Sequence, residues 1–309
     1  MAKRVLITGG AGFIGSTVAD LFLQAGWDVA VLDDLSTGKR GNVPAAARFY
    51  PVDLRSEAAV EAVKKERPEV ICHLAAQIDV RRSMTDPRFD ADVNVGGLLN
   101  LLQAAVAAGS VQHVVFASSG GATYGDTEVI PTPETHPQRP VSCYGAAKAA
   151  SEIYLGVYRA NHGIRSTALR YANVYGPRQD PHGEAGVVAI FSGRLLEGKP
   201  CTIYGDGTQT RDYVYVGDVA RANLLAAEKR FDGPLNVGTG LETDVNTIHA
   251  HLARAAGVTR PAEHAPGRMG EQQRSCVDPS AAAVALGWRP EMPLADGLAR
   301  TLEFFRARR

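Results

Sequence analysis

The chain has 309 residues, 45% of them hydrophobic and 21% charged, enough for one large α/β unit or two closely joined domains with a sizeable core. Lys plus Arg and Asp plus Glu both number 33, so the formal net charge is zero, and neither nucleic acid nor an anionic membrane is expected as a main partner. Cys72, Cys143, Cys201 and Cys276 are far apart without a C-x-x-C, and the eight histidines are scattered, so neither disulfides nor a metal site is expected.

Met1-Ala2-Lys3-Arg4 leads directly into an apolar run, with no h-region before it and no stretch long enough to span a bilayer, so a cytoplasmic location is expected. Residues 5–8 are apolar and largely β-branched and read as a strand. Gly9, Gly12 and Gly15 follow in G-x-x-G-x-x-G spacing, and residues 16–25 read as an amphipathic helix closed by Gly26. Strand, glycine turn and helix in that order form a phosphate cradle: the turn needs unusual backbone angles, the backbone must approach a pyrophosphate, and the helix N-terminus faces it. A second strand, 29–33, ends in Asp33 about twenty residues further on, where a carboxylate would bond the adenosine ribose. Asp33-Asp34 would repel a 2′-phosphate, so the dinucleotide is read as NAD, although Lys39 and Arg40 lie nearby.

Residues 49–52 read as a strand ending at Asp53, 57–66 as a helix, and 70–74 as an apolar strand. A long helix is predicted at 89–108, a strand at 114–117 before Ser118-Ser119, a helix at 144–161 and a strand at 166–170. Alternating helices and near-continuous apolar strands indicate a doubly wound, Rossmann-like parallel sheet covered on both faces, with ligands at the carboxyl ends of the strands. Gly9, Asp33, Asp53, Ala75, Ser118 and Tyr171 lie at or just beyond such ends. After Arg170 the pattern loosens into Gly/Pro-rich loops at 176–186, 205–210 and 261–270, while 218–229 is a strong helix pattern. The expected division is an NAD-binding domain at 1–173, with 212–238 packing back on it, and a smaller α/β substrate lobe at 174–211 and 239–309.

Tyr144 and Lys148 stand four residues apart, on one face of the predicted helix. An ammonium beside a phenol favours the phenolate, which can act as a general base toward an alcohol. Such spacing also occurs on ordinary helices; the glycine turn and Asp33 are what turn it toward redox chemistry.

With these motifs together, the sequence resembles the extended short-chain dehydrogenase/reductases, and within them the UDP-glucose 4-epimerases. The resemblance runs the whole length. It is carried by Gly9-Gly10-Ala11-Gly12-Phe13-Ile14-Gly15-Ser16, Leu32-Asp33-Asp34-Leu35-Ser36-Thr37-Gly38, His73-Leu74-Ala75-Ala76-Gln77, Tyr144-x-x-x-Lys148, Leu169-Arg170-Tyr171-Ala172-Asn173-Val174-Tyr175-Gly176-Pro177 and Arg211-Asp212-Tyr213-Val214.

The resemblance implies a tightly held NAD, a UDP-sugar substrate, and a homodimer formed through the helices at 89–108 and 144–161. It implies a catalytic set of Ser119, Tyr144 and Lys148, with Ser118 as an alternative hydroxyl because Gly120-Gly121 changes the loop. It implies cofactor contacts at Gly9, Gly12, Phe13, Ile14 and Gly15, at Asp33, Asp34, Leu35, Ser36, Thr37 and Gly38, and at Asp53 and Leu54. Further cofactor contacts fall on Leu74, Ala75, Ala76, Gln77, Asn94, Ser118, Tyr144, Lys148, Tyr171 and Ala172. The UDP-sugar is assigned to Ser119, Tyr144, Asn173, Val187, Val188, Thr202, Ile203, Tyr204, Arg211, Arg268, Glu271 and Ser275. Arg211 and Arg268 suit a diphosphate, although each could equally form a surface ion pair. Cys143 and Ala172 depart from residues common in the family, and neither removes a catalytic group.

The expected reaction is inversion at C4 through a 4-keto sugar. Ser275 is small where a bulky residue would exclude 2-acetamido sugars, so those are expected as substrates too. A 4,6-dehydratase needs an acid pair after the active-site hydroxyl, and Gly120-Gly121 cannot supply it. A UDP-glucuronate epimerase or decarboxylase, and a non-catalytic NAD sensor, are the remaining alternatives.

Overall fold

The structure is a computed structural model that describes residues 3–181, 186–267 and 272–308. Its first half alternates as the sequence predicts: β1 (Arg4–Thr8), α1 (Phe13–Gln24), β2 (Asp28–Leu32), β3 (Arg48–Tyr50), α2 (Glu57–Glu66) and β4 (Val70–His73). Then come α3 (Val80–Thr85), α4 (Pro87–Ala91), a π segment (Asp92–Gly96), α5 (Gly97–Ala108), β5 (His113–Ser119), α6 (Gly120–Tyr124), α7 (Cys143–His162) and β6 (Arg165–Tyr171). The second half holds β7 (Asn173–Tyr175), α8 (Val187–Leu196), β8 (Thr202–Tyr204), β9 (Thr210–Arg211), β10 (Tyr213–Tyr215), α9 (Val216–Lys229) and β11 (Gly233–Val237). It closes with β12 (Thr243–Asp244), α10 (Val245–Ala256), β13 (Glu263–Ala265), β14 (Arg274–Ser275), α11 (Ser280–Leu286) and α12 (Leu294–Arg306).

Seven strands form one parallel sheet in the order β11-β6-β5-β4-β1-β2-β3. The order reverses between β1 and β4, which opens a crevice at their carboxyl ends. The strands are apolar on both sides because both faces are covered: Val5, Leu6 and Ile7 of β1 are at most 1% exposed. One core joins α1 and α9 to the sheet through Val18, Phe22, Val219 and Ala226. The opposite core packs α2, α5 and α7 through Val63, Leu98, Leu102 and Leu155. A third core, built on Tyr175, Val188, Ile203, Ile248 and Leu298, belongs to the smaller C-terminal elements.

The predicted helix at 89–108 is a helical stretch from Pro87 to Ala108, with a π segment inside it at Asn94. By length and apolarity it could cross a membrane. Its apolarity has a simpler cause, since Leu98, Leu101 and Leu102 are buried against α2 and the sheet. The sequence reading missed α6. Gly120-Gly121 looks like a turn, but the Ser119 side chain accepts the Ala122 amide and starts a short helix there. Helix α7 begins with Ser142, whose hydroxyl accepts the Gly145 amide at 3.1 Å, and ends at Gly163 in the left-handed region.

Candidate active site

The crevice is walled by two backbone turns in close contact. Gly9 has φ +71°, and a Cβ there would lie 2.6 Å from the Ala75 amide nitrogen. The glycine turn therefore lies against the Leu74-Ala75-Ala76 loop. The Thr8 hydroxyl ties the two together, accepting the Ala75 amide at 3.2 Å and meeting His73 Nδ1 at 2.7 Å. Burial, and then the Lys148 charge, draw His73 down to about 3, so it is a neutral spacer. Helix α1 starts at Gly12 with no side-chain cap and no acid in its first turn, so its leading amides, at Phe13 and Ile14, are open to an anion.

At the end of β2, Asp33 accepts Ala11 N through Oδ2 and Leu35 N through Oδ1, both at 2.9 Å. Each oxygen keeps lone pairs for further donors, and burial raises its pKa. Asp34 is exposed and bonds Ser36; Thr37 and Gly38 complete that loop. The two basic residues nearby are turned elsewhere: Arg40 lies over the Phe49 ring at 4.7 Å, and Lys39 faces Asp180 at 3.8 Å. Neither is committed to the Asp33 carboxylate. Asp53 is spent on Arg55 at 2.6 Å, and Leu54 is buried. An uncapped helix end, a close glycine turn and a strand-end carboxylate with spare acceptor capacity fit an adenine dinucleotide lacking a 2′-phosphate.

The floor of the crevice is polar: Asn94, Ser118 and Lys148 are buried, and Gln77, Ser119 and Tyr144 are partly buried. Gln77 N donates to Asn94 Oδ1 at 3.0 Å, and Asn94 Nδ2 donates to Gln77 O at 3.0 Å. Ser119 ends β5 in register with Tyr171, on β6. Its hydroxyl lies near Tyr144, which leans half-buried from α7, and works to lower the phenol's pKa. Ser118 is otherwise employed: its hydroxyl donates to Glu152 Oε1 at 2.6 Å, and Glu152 pairs with Arg170 at 2.6 Å. Lys148 is buried, donates to Ala117 O at 2.8 Å and lies 5.7 Å from the Tyr144 ring centroid. Tyr171 points away, into a bond with Asn223, and Ala172 N donates to Val237 O.

One expectation is corrected here. The ammonium was expected to bring the Tyr144 phenol down. Burial instead pushes Tyr144 well above the usual phenol range and the Asp90 carboxylate adds to this, while only the Ser119 hydrogen bond works against them. Burial also draws Lys148 down to about 8, against the pull of Asp90 and Glu152. In this arrangement desolvation is the dominant influence on both groups.

Of the expected substrate residues, Ser275 borders this floor. Ser275 is the register partner of Arg211, across β14 and β9. A Cβ on Gly121 would come 3.1 Å from Ser275 Oγ, so Ser275 borders the loop that carries Ser119. Asn173 is exposed on β7, and its amide donates to Asp212 O at 2.8 Å. Val188 and Ile203 are buried in the third core, which leaves backbone as what that region can offer a ligand; Val187 is partly buried, Thr202 half-buried and Tyr204 exposed. Arg268 and Glu271 lie outside the described residues.

The sequence reading missed Asp90, Glu152, Arg170 and Thr8. Glu152 was within reach, because 144, 148 and 152 continue one helical face. Asp90 stands in the same i, i+4 relation to Asn94. Thr8 and Arg170 carry no local signal, since Thr8 meets His73 65 residues away and Arg170 meets Glu152 and Tyr124, 18 and 46 residues away.

A reversing parallel sheet with this glycine turn, strand-end acid and Tyr–Lys pair is a Rossmann-like short-chain dehydrogenase/reductase architecture. The chain belongs to the NAD dependent epimerase/dehydratase family, whose model matches residues 5–238. It is 48% identical to the UDP-glucose 4-epimerase of Mycolicibacterium smegmatis, over 98% of each chain. The UDP-glucose 4-epimerase of Thermotoga maritima, solved with UDP-glucose, superposes with a TM-score of 0.96 at 46% identity, covering 99% of each chain. The Thermus thermophilus UDP-glucose 4-epimerase, solved with NAD, gives a TM-score of 0.92 at 48% identity, covering 98% of this chain and 99% of that one.

Proposed function

We propose that this protein is an NAD-dependent epimerase that inverts C4 of a UDP-hexose, interconverting UDP-glucose and UDP-galactose. The observation that carries the reading is the cluster of Ser119 at the end of β5 with Tyr144 and, 5.7 Å from its ring, Lys148, on the floor of the crevice walled by the Gly9 turn and Asp33. The likeness to named UDP-glucose 4-epimerases supports the same reaction.

Tyr144 takes the proton of the sugar 4-hydroxyl and later returns it, with Ser119 bridging by a hydrogen bond. Bound NAD supplies the hydride acceptor and donor and, as a cation, favours the Tyr144 phenolate. Lys148 holds the positive charge under the reacting groups. The sugar is oxidised at C4 to a ketone, turns over while its diphosphate stays anchored, and is reduced on the opposite face. Arg211 and Arg268 are the proposed anchors, Asn173 the contact to the nucleotide sugar, Glu271 the acid that binds the ribose, and residues 187–188 and 202–204 the surroundings of the base. Burial of the floor excludes water from the keto intermediate.

The small Ser275 side chain beside Gly121 supports acceptance of UDP-N-acetylhexosamines as well. We also read residues 1–173 with 212–238 as the cofactor unit, 174–211 with 239–309 as the substrate lobe, and the protein as a cytoplasmic homodimer.

The test is to incubate the NAD-loaded protein with UDP-glucose, UDP-galactose, their 2-acetamido counterparts and UDP-glucuronate, and to read C4 inversion by NMR. Both hexose nucleotides should reach the same equilibrium mixture; no inversion of either sinks the reading. Ser275→Tyr should remove acetamido turnover and spare the hexoses. Equal loss on both would overturn the role given to Ser275.

A further inference from the structure

Behind Tyr144 and Lys148 stands a carboxylate that the mechanism above does not use. Asp90 is 1% exposed on α4, which packs with the π segment against α7. Its Oδ1 accepts two hydrogen bonds, from Gln77 Nε2 at 2.8 Å and Asn94 Nδ2 at 3.0 Å. Its Oδ2 is buried with no hydrogen-bond partner among the described residues. A buried carboxylate oxygen left without a donor is costly and calls for a reason. The neighbouring geometry shows what that is. Asn94 sits in the π segment, a distortion that often marks functional sites, and Asp90 at i−4 is the group that clamps its amide.

We propose that Asp90 is a positioning residue for the C4 inversion. One oxygen fixes Asn94 and Gln77 at the cofactor wall, and the other leaves an unneutralised negative charge behind the Tyr144–Lys148 pair. This rests on the reading of that pair as the reacting site. The charge serves two ends. It keeps the buried Lys148 cationic near neutral pH, and it holds Tyr144 as a phenol until a second positive charge arrives in the crevice. The placement of Asp90 on α4, packed against α7, fits both directions, and its charge acts to raise Lys148 and Tyr144 alike.

The other titratable and charged groups around the pair are few. Glu152 on α7 also raises Lys148, but it is paired with Arg170 of β6, which bonds Tyr124 of α6 in turn. His73 of β4 is neutral. On the α3 and α4 side, Arg81, Arg82, Asp86 and Arg88 are exposed, Asp79 is partly exposed and caps α3, and Asp92 of the π segment is exposed and paired with Arg55.

The test uses Asp90→Asn in the NAD-loaded protein, because Asn keeps an Oδ1 acceptor for Gln77 and Asn94 and removes only the charge. The chain has seven lysines, so 13C labelling at Cε gives a tractable spectrum in which Lys148→Met identifies the Lys148 signal. The Lys148 midpoint should fall by at least about 0.5 pH unit in Asp90→Asn, the scale of coupling expected between buried neighbours. Asp90→Ser, which also removes the charge, should shift it the same way. Both limbs of the kcat/KM profile for UDP-galactose should move to lower pH, a change that mere loosening of Gln77 would not produce. An unmoved Lys148 midpoint in both variants overturns this inference alone. A parent protein that epimerises nothing overturns the functional reading alone.

Discussion

Ser118 and Ser119 are adjacent, and the fold gives their hydroxyls different partners. Ser118 Oγ is held by Glu152 within the Arg170 network, whereas the Ser119 hydroxyl lies near Tyr144. Ser119→Ala should therefore lower kcat about tenfold or more, and Tyr144→Phe by about 100- to 10,000-fold with NAD retained, as single-turnover and cofactor-binding measurements can separate. Ser118→Ala should act mainly on stability, by about 1–3 kcal/mol, because it strips a donor from a buried carboxylate. A larger loss of kcat in Ser118→Ala than in Ser119→Ala would reverse the assignment. At this scale the sequence was informative where partners are close along the chain. Gly9, Asp33, Tyr144 and Lys148 were all readable from spacing. It was silent on which hydroxyl is left free to face Tyr144, because Ser118 is held by Glu152, on a helix 34 residues away.

The first βα unit shows how elements make a binding surface. Gly15 is the third residue of α1, and a Cβ there would lie 2.1 Å from the Gly9 carbonyl oxygen. Neither the turn nor the helix can give way, because Gly9 N is bonded to Leu32 O and Gly12 N to Gly9 O. Gly15→Ala must push α1 off β1. It should cost about 1–3 kcal/mol of stability and weaken NAD binding by about tenfold for each 1.4 kcal/mol lost, readable by calorimetry. NAD affinity equal to the parent's would show that the helix end is not the pyrophosphate site. Element types and order in this half followed from apolar runs and glycine punctuation. The π segment did not, since hydrophobic periodicity over 89–108 cannot register one widened turn. Nor did α6, whose only local cue is Ser119 as a cap. The short strands of the second half are equally illegible, because two- and three-residue pairings such as β9 with β14 depend on distant partners.

For the whole molecule, the outer face of the helices that support the site is unusually apolar. Ile153 is 68% exposed, with Val157 and Tyr154 beside it on α7, and Val106 of α5 and Met84 of α3 add to the surface. These residues lie on the side of α7 away from Lys148, which is 3% exposed. Gly156 and Ala160 between them are small and exposed, which lets another helix approach closely. Their best cover is the same pair of helices from a second copy, related by a two-fold axis, where a stable interface buries about 800 Å² per partner. The protein should therefore run as a dimer in light scattering at micromolar concentration, and Ile153→Glu with Val157→Glu should yield a monomer. Because the opposite face of α7 carries Tyr144 and Lys148 within one chain, that monomer should still bind NAD. Its loss should fall on thermal stability, since α7 would face water with its apolar side. A wild-type protein that is monomeric at that concentration, or a double variant that stays dimeric, would place the interface elsewhere and leave this apolar face unexplained.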